Sequence, residues 1–218
     1  MSESPTLVTA EHFDYIRQRT TPEEPLLAEL KDAAREAGIP AIWINPEQAS
    51  LVQILLRLVG ARRVVEVGTL AGYSALAMAR ALPPDGLLDT IELEPKHADF
   101  AETWIDKAGL SERVIVHRGA GAEVLAGLET GLYDAAFLDA DKASYPIYLE
   151  ESLRLVRPGG LIMVDNAFAF GQLFHEQPTD PEAEAVKAFN EVMAADTRLA
   201  SVIVPMGDGM WAGVKISA

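Results

Sequence analysis

The chain has 218 residues, of which 49% are hydrophobic and 23% are charged, so one globular domain is predicted and a disordered chain is excluded. Eighteen Lys and Arg stand against 33 Asp and Glu, and the formal net charge of −15 argues against a nucleic-acid or membrane-surface partner, because both carry negative charge. The sequence has no cysteine, which excludes thiol catalysis, thiolate metal sites and disulfides.

Helices are predicted in the first sixty residues. Thr21 is a typical N-cap and Pro22 a typical first helical residue, so a helix is expected to begin there and to end at Gly38. Asn45 and Pro46 repeat this start signal before apolar residues at helical spacing. We expect residues 1–44 to form a helical cover and residues 45–218 to form the core of a single domain.

Short apolar runs alternate with helical stretches from residue 62 onward. Strands that are apolar on both faces and separated by helices indicate a parallel sheet covered on both sides. The predicted strands are residues 64–67, 87–92, 114–117, 135–139 and 161–165, and the predicted helices are residues 73–81, 95–108, 122–128 and 145–156. The expected fold class is α/β, doubly wound.

The tail departs from this alternation. After a helix at residues 182–195, two strands are predicted at residues 200–205 and 210–216, with residues 207–209 (Gly-Asp-Gly) as a hairpin turn between them. An antiparallel pair is therefore expected at the end of an otherwise parallel sheet.

A glycine loop follows the first predicted strand. Gly68 and Gly72 allow a tight turn and a close approach of the backbone to a ligand. The spacing differs from the dinucleotide pattern, which needs glycines where Leu70 and Tyr73 stand. Glu92, at the end of the second strand, is placed to accept hydrogen bonds from the hydroxyls of an adenosine ribose.

Glu66 suggests which ligand this loop binds. An acid just before the loop would repel a pyrophosphate, but it suits a ligand with a cationic amino-acid head, which points to S-adenosylmethionine. The alternative is an ordinary strand-to-helix turn with a chance acid on the next strand, and the glycines alone do not decide between the two.

Polar residues follow the fourth and fifth strands. Asp139 ends one strand and Asp165 with Asn166 ends the other, and these strands are neighbours in a doubly wound sheet. Three oxygen ligands suit a hard divalent cation, Mg²⁺ first, with Ca²⁺ or Mn²⁺ as alternatives. Each residue also has an ordinary explanation as a helix cap or turn residue, and Lys142 as a surface charge.

Together these segments resemble the cation-dependent catechol and caffeoyl-CoA O-methyltransferases. The resemblance runs from about residue 45 to the C-terminus and is carried by residues 66–74, 91–92, 138–142 and 164–166. It implies a class I methyltransferase fold, which is a Rossmann-like seven-stranded sheet of order 3-2-1-4-5-7-6 with strand 7 antiparallel.

The resemblance also implies a role for each motif residue. Lys142 matches the family's general base, and Asp139 stands beside it as a catalytic residue and metal ligand. The implied metal ligands are Asp139, Asp165 and Asn166. The implied S-adenosylmethionine-binding residues are Glu66, Gly68, Thr69, Gly72, Ser74, Glu92, Ala120 and Asp139.

The acceptor side is less well defined. The apolar loop at residues 167–175 departs from the family pattern, and it is expected either to form one wall of an aromatic pocket or to pack against the core or a second subunit. Trp43 and Tyr145 are weaker pocket candidates, and His97 is expected at a surface or in a satisfied core. Since no basic cluster would receive coenzyme A, a small aromatic acceptor with vicinal hydroxyls is expected.

Three alternative functions stay open. They are a nicotinamide oxidoreductase on a Rossmann-like fold, a non-catalytic S-adenosylmethionine-binding protein, and an enzyme that transfers the methyl group without a metal. The resemblance implies a homodimer. Residues 1–5 lack the features of a secretory signal and no apolar run is long enough to span a bilayer, so a cytoplasmic location is expected.

Overall fold

The computed structural model describes residue 6 and residues 8–216, and residues 1–5, on which the expectation about a secretory signal rests, lie outside it. Its seven-stranded sheet has the order β3-β2-β1-β4-β5-β7-β6. The strands are β1 (Arg63–Val67), β2 (Leu87–Glu92), β3 (Val114–Arg118), β4 (Tyr133–Leu138), β5 (Val156–Val164), β6 (Leu199–Val204) and β7 (Met210–Lys215). The helices are α1 (Ala10–Arg17), α2 (Pro25–Glu36), α3 (Pro46–Leu58), α4 (Tyr73–Ala79), α5 (Pro95–Lys107), α6 (Gly121–Gly127), α7 (Tyr145–Leu155) and α8 (Ala183–Ala195).

The predicted topology is confirmed. Strands β1 to β5 pair in parallel, whereas β7 pairs antiparallel with both β5 and β6. The strand ends are level: Val67 pairs with Ile91 and Leu138, and Leu138 pairs with Val164. The residues that follow these positions therefore meet at one edge of the sheet.

Helices cover both faces of the sheet. One core contains Leu30 of α2, Leu56 of α3 and Leu76 of α4, packed on one face of the strands. The other contains Leu149 of α7 and Phe189 of α8 on the opposite face. Since α2 shares its core with α3 and α4, the N-terminal segment packs directly against the rest of the domain. The division at residue 44 stays a prediction.

The start of α2 was predicted wrongly. The helix begins at Pro25 with Glu24 as N-cap, instead of beginning after Thr21. A residue before proline is disfavoured in helical conformation, and Glu24 is extended, with φ −62° and ψ 135°, so Pro25 sets the first turn. The predicted end holds, because Gly38 adopts φ +68° just after the last turn.

The start of α3 is confirmed. Asn45 is its N-cap, Pro46 its first residue, and the Asn45 N–H donates to Gln48 Oε1 at 3.1 Å. No helix among the described residues is long and apolar enough to cross a membrane.

Candidate active site

A cleft of about 760 Å³ runs along the sheet edge where the parallel strands end. One half is lined by the loops after β1, β2 and β3, and the other half by the loops after β4 and β5 together with Glu182 at the start of α8. Residues 42–44, between α2 and α3, also line it, Trp43 among them as expected. Of the predicted site residues, Glu66, Gly72 and Asp165 lie behind the cleft wall, and the others line it.

The glycine loop needs glycine at Gly68. Its φ is +104°, and a Cβ there would lie 2.0 Å from the backbone oxygen of Asp139. The loop after β1 therefore runs directly against the end of β4. Gly72, at φ +86°, packs against Ala101 of α5 as the N-cap of α4, so its part in the site is to shape the turn.

Glu66 is fully buried behind this loop. Its carboxylate accepts hydrogen bonds from the Ser74 hydroxyl and, at 2.6 Å, from Thr90 Oγ1, which lies 2.6 Å from Thr69 Oγ1. Burial raises the pKa of Glu66 to about 8, against the lowering effect of the Ser74 and Thr90 hydrogen bonds. Ser74 and Thr69 line the cleft, so Glu66 is linked to the cleft directly through the Ser74 hydroxyl and indirectly through Thr90 and then Thr69.

Glu92 joins two of the loops that line the first half of the cleft, the loops after β1 and β2. Its Oε2 accepts the Leu70 N–H at 2.7 Å and its Oε1 accepts the Glu94 N–H at 2.9 Å. His97 Nδ1 lies 3.6 Å from Glu92 Oε1 and also lines the cleft, which the sequence interpretation missed. Pro95 carried the signal, since a proline at the first helical position puts residue 97 in the first turn of α5, beside the strand end.

The loop after β3 completes this half. The Gly119 N–H donates to the Glu92 backbone oxygen at 2.9 Å, and Ala120, the N-cap of α6 and one of the expected cofactor-binding residues, lines the cleft. A Cβ on Gly121 would lie 2.7 Å from Val67 Cγ1 and 2.8 Å from the Tyr148 ring, so the backbone passes close to the strand end. The Tyr148 hydroxyl donates to Asp141.

Lys142 is buried, with 4% of its surface exposed, at the end of β4. Its Nζ donates to Asp139 Oδ1 at 3.0 Å and to the Tyr145 hydroxyl at 2.7 Å. The Lys142 N–H also donates to Glu182 Oε1 at 3.1 Å. The alternative of Lys142 as a surface charge is therefore wrong. Tyr145 is fully buried beneath Lys142 instead of lining the cleft, so it supports the lysine and does not form a pocket wall.

Asp165 and Asn166 lie beside this group. The Asp165 N–H donates to the Leu138 oxygen at 3.0 Å, and its buried carboxylate accepts Gln48 Nε2 at 2.9 Å. Burial raises the pKa of Asp165, and the Asp139 carboxylate raises it further. Asn166, at φ +65°, donates through Nδ2 to Asp208 Oδ2 at 3.3 Å.

The aromatic side chains of the apolar loop after Asn166 lie in three different environments. Phe170 lines the cleft, Phe168 packs on Gly209 of the β6–β7 turn, and Phe174 is 92% exposed. Asp208 holds the loop by accepting the Phe170 N–H at 2.8 Å and the Gly171 N–H at 3.1 Å. Of the aromatic residues in this loop, Phe170 is thus the one that contributes to the cleft.

Comparisons with known proteins identify the family to which the chain belongs. Residues 17–216 match the O-methyltransferase family. The chain is 40% identical over 195 residues to a catechol O-methyltransferase from Niastella koreensis. The aligned residues make up 88% of this chain and 88% of that protein.

Two solved structures share the fold and carry the cofactor or its product. The O-methyltransferase from Bacillus cereus in complex with SAH (S-adenosylhomocysteine) is 32% identical, with a TM-score of 0.84 over 93% of this chain and 96% of that one. The O-methyltransferase TomG of tomaymycin synthesis from Streptomyces achromogenes, in complex with SAM (S-adenosylmethionine), is also 32% identical. Its TM-score is 0.84 over 95% of this chain and 96% of that one. The chain therefore belongs to the O-methyltransferase family and is an S-adenosylmethionine-dependent enzyme.

Proposed function

We propose that this enzyme transfers the methyl group of S-adenosylmethionine to a hydroxyl of a small catechol-like acceptor and that it depends on a divalent cation. The observation that carries this proposal is the buried Lys142, whose Nζ contacts Asp139 at 3.0 Å beside the Asp165 and Asn166 pair. Family membership sets aside the oxidoreductase and the non-catalytic alternatives. The catechol class is supported by the 40% identical relative of that name.

The proposed metal ligands are Asp139, Asp165 and Asn166. Among the described residues no cluster of three or more His, Cys, Asp and Glu suited to a metal is found, and this donor set has only two carboxylates beside its amide. The donor chemistry fits a hard cation, since all three groups offer oxygen. Burial, and after it the negative charge of Asp139, raises the pKa of Asp165, and a bound cation would offset both unfavourable effects on the Asp165 carboxylate.

In the proposed reaction, each group of residues has a separate role. When bound, the cation acts as a Lewis acid that lowers the pKa of the acceptor hydroxyl. Nζ of Lys142, held in place by Asp139 and Tyr145, is the proposed acceptor of the hydroxyl proton. The acceptor oxygen forms its bond to the methyl carbon as the carbon–sulfur bond breaks, which leaves S-adenosylhomocysteine. The glycine loop and Glu92 hold the cofactor, with Glu66 supporting Ser74 and Thr69 from behind.

The lining of the cleft supports a small acceptor without negative charge. Asp141 and Glu182 line the half where the acceptor would lie, and Trp43 and Phe170 supply aromatic surface. Lys142 is engaged by Asp139. This half of the cleft is therefore unsuited to the phosphates of coenzyme A.

The deciding experiment is methyl transfer to a panel of catechols, followed by mass spectrometry, with Mg²⁺ and again with excess EDTA. We expect product with Mg²⁺ and none with EDTA, restored by added Mg²⁺. Product that survives EDTA would overturn the cation dependence. Transfer to simple phenols but to no catechol would overturn the acceptor class.

We also propose a homodimer, with the cytoplasm as the predicted location. Helix α3 presents Ile54 and Leu58 to solvent, and Leu58 is 78% exposed, which is a cost that burial against a second subunit would remove. Sedimentation of the wild type should give twice the monomer mass, and a Leu58→Glu variant should sediment closer to the monomer. A monomeric wild type would overturn this proposal.

A further inference from the structure

Gln48 links the start of α3 to the proposed metal ligand Asp165 across 117 residues of sequence. Its side chain is buried, with 3% of its surface exposed, and Nε2 donates to Asp165 Oδ1 at 2.9 Å. At the other end of the same amide, Oε1 accepts the Asn45 N–H at 3.1 Å. Because both ends of the amide are engaged, its N–H₂ group is directed at the Asp165 carboxylate.

The turn between β6 and β7 packs closely against another side of the Gln48 amide. Gly207 adopts φ +59°, and a Cβ there would lie 2.2 Å from Gln48 Cδ and 2.2 Å from Oε1. Only a glycine allows the backbone to approach so closely. The same turn carries Asp208, which accepts the hydrogen bond from Asn166 Nδ2. The start of α3 and the β6–β7 turn thus hold Asp165 and Asn166, the two side chains that follow β5.

We propose that Gln48 is a positioning residue that orients the Asp165 carboxylate for the divalent cation and so sets the affinity for the cation. A buried carboxylate with one oxygen held by an amide N–H cannot rotate freely, so its orientation toward a ligand is fixed. Hydrogen bonds of this kind, made to a metal-ligating group, are typically worth 10- to 100-fold in metal affinity. The proposal rests on the cation dependence proposed above.

A purely structural role is the alternative. Gln48 also completes the start of α3 through Asn45, and that contact alone would make it important for folding. The two roles differ in what they predict. A cap residue changes the stability of the fold, whereas a positioning residue changes the dissociation constant of the cation in protein that is folded.

The test compares Gln48→Met with Gln53→Met. Gln53 lies on the same helix, and its Nε2 donates to the Ala77 backbone oxygen at 2.8 Å, so its loss also removes one partly buried hydrogen bond. Electron paramagnetic resonance counts free Mn²⁺, and calorimetry with S-adenosylhomocysteine checks the cofactor half. We expect Gln48→Met to raise the Mn²⁺ dissociation constant roughly 10- to 100-fold. Gln53→Met should leave it unchanged, and both variants should bind S-adenosylhomocysteine like the wild type.

Each result has one meaning. If the wild type binds Mn²⁺ and Gln48→Met binds it equally well, the positioning role is wrong while the proposed function stands. If the wild type binds no Mn²⁺, the cation dependence itself fails. Should Gln48→Met not fold, Gln48→Asn takes its place. Its amide is one CH₂ shorter and cannot span Asn45 and Asp165 together, so the same weakening of Mn²⁺ binding is expected, and wild-type affinity would again overturn the proposal.

Discussion

Glu66 is an acid whose environment opposes its charge. It is fully buried in β1, and its hydrogen bonds from Ser74 and Thr90 do not compensate for the loss of water, so its pKa rises to about 8. A cationic ligand group near Ser74 and Thr69 would relieve this cost. We propose that Glu66 lowers the stability of the free protein and, in return, favours a cationic group of the cofactor at this position.

Glu66→Gln is expected to flatten the pH dependence of stability between pH 4.5 and about pH 8. In this window the native state keeps a proton that the unfolded chain releases, so the free energy of unfolding falls as the pH rises. This contribution is fully present below pH 4.5 and is lost as the pH passes about 8. Gln has no such titration. Urea unfolding of both proteins across this range measures the slopes, and equal slopes would contradict the assignment to Glu66.

Glu182 is expected to select acceptors by charge. Glu182 lines the half of the cleft in which we propose that the acceptor lies, and its Oε1 accepts the Lys142 N–H. Glu182→Gln keeps an oxygen for that bond but removes the negative charge. We expect kcat/KM for a carboxylate-bearing catechol to rise roughly tenfold relative to a neutral catechol, since one charge at short range is worth ~1 kcal/mol or more.

The control for this prediction is Glu184→Gln. Glu184 lies at the start of α8, is 66% exposed and pairs with Lys187 at 3.3 Å. The Glu184→Gln variant therefore removes the same charge from a position outside the cleft. An equal shift in both variants would show that overall charge, and not Glu182, selects the acceptor. An equal loss of kcat for all acceptors in Glu182→Gln would instead point to its contact with Lys142.

At the scale of elements, the site depends on how the loop after β1 meets the end of β4. Gly68 lets the two backbones touch, and the level ends of β1 and β4 place Asp139 against it. Strand pairing therefore joins the half of the cleft lined by the loops after β1, β2 and β3 to the half lined by the loops after β4 and β5. The two halves cannot be repositioned independently.

Gly68→Ala is expected to destabilise the protein by more than about 2 kcal/mol and to weaken S-adenosylhomocysteine binding. Its φ of +104° disfavours alanine, and the added Cβ would lie 2.0 Å from the Asp139 oxygen, so the loop must move. Gly60→Ala is the control, because Gly60 has φ +64° with nothing within 4 Å of a Cβ. It should cost only ~1–2 kcal/mol and leave binding intact. Similar binding losses in both would contradict the contact argument.

At the scale of the whole molecule, the acidic residues behind the formal net charge of −15 lie in different environments. Most acids lie at the surface, but Asp165 is buried close to Asp139, where repulsion lowers the stability of the folded chain. A cation bound to the native state alone would offset this and shift the folding equilibrium.

Saturating Mg²⁺ is expected to raise the melting temperature, and EDTA to abolish the rise. At 100 times the dissociation constant the gain is ~2.7 kcal/mol, or roughly 5–10 °C for a chain of this size. Asp165→Ala should show no such shift, although S-adenosylhomocysteine should still stabilise it. Calorimetric scans measure all three, and an equal Mg²⁺ shift in Asp165→Ala would place the cation elsewhere.

The sequence alone determined the architecture and the site motifs. Apolar runs of strand length, Gly68 and the hairpin at residues 207–209 are local signals, and each predicted strand and helix from residue 62 onward is present, although β5 begins at Val156 instead of residue 161. Strand-end residues such as Asp139 and Asp165 were brought together correctly, because parallel strands share one carboxyl edge.

The tertiary structure decided what no local pattern contains. It buried Glu66 behind Ser74, put Tyr145 beneath Lys142 and placed His97 in the cleft. It also brought Gln48 against Asp165, from a helix that the sequence marks only as a helix start. Such contacts join residues far apart in the chain, and they depend on packing distances of a few ångströms, which hydrophobic spacing and turn signals do not encode.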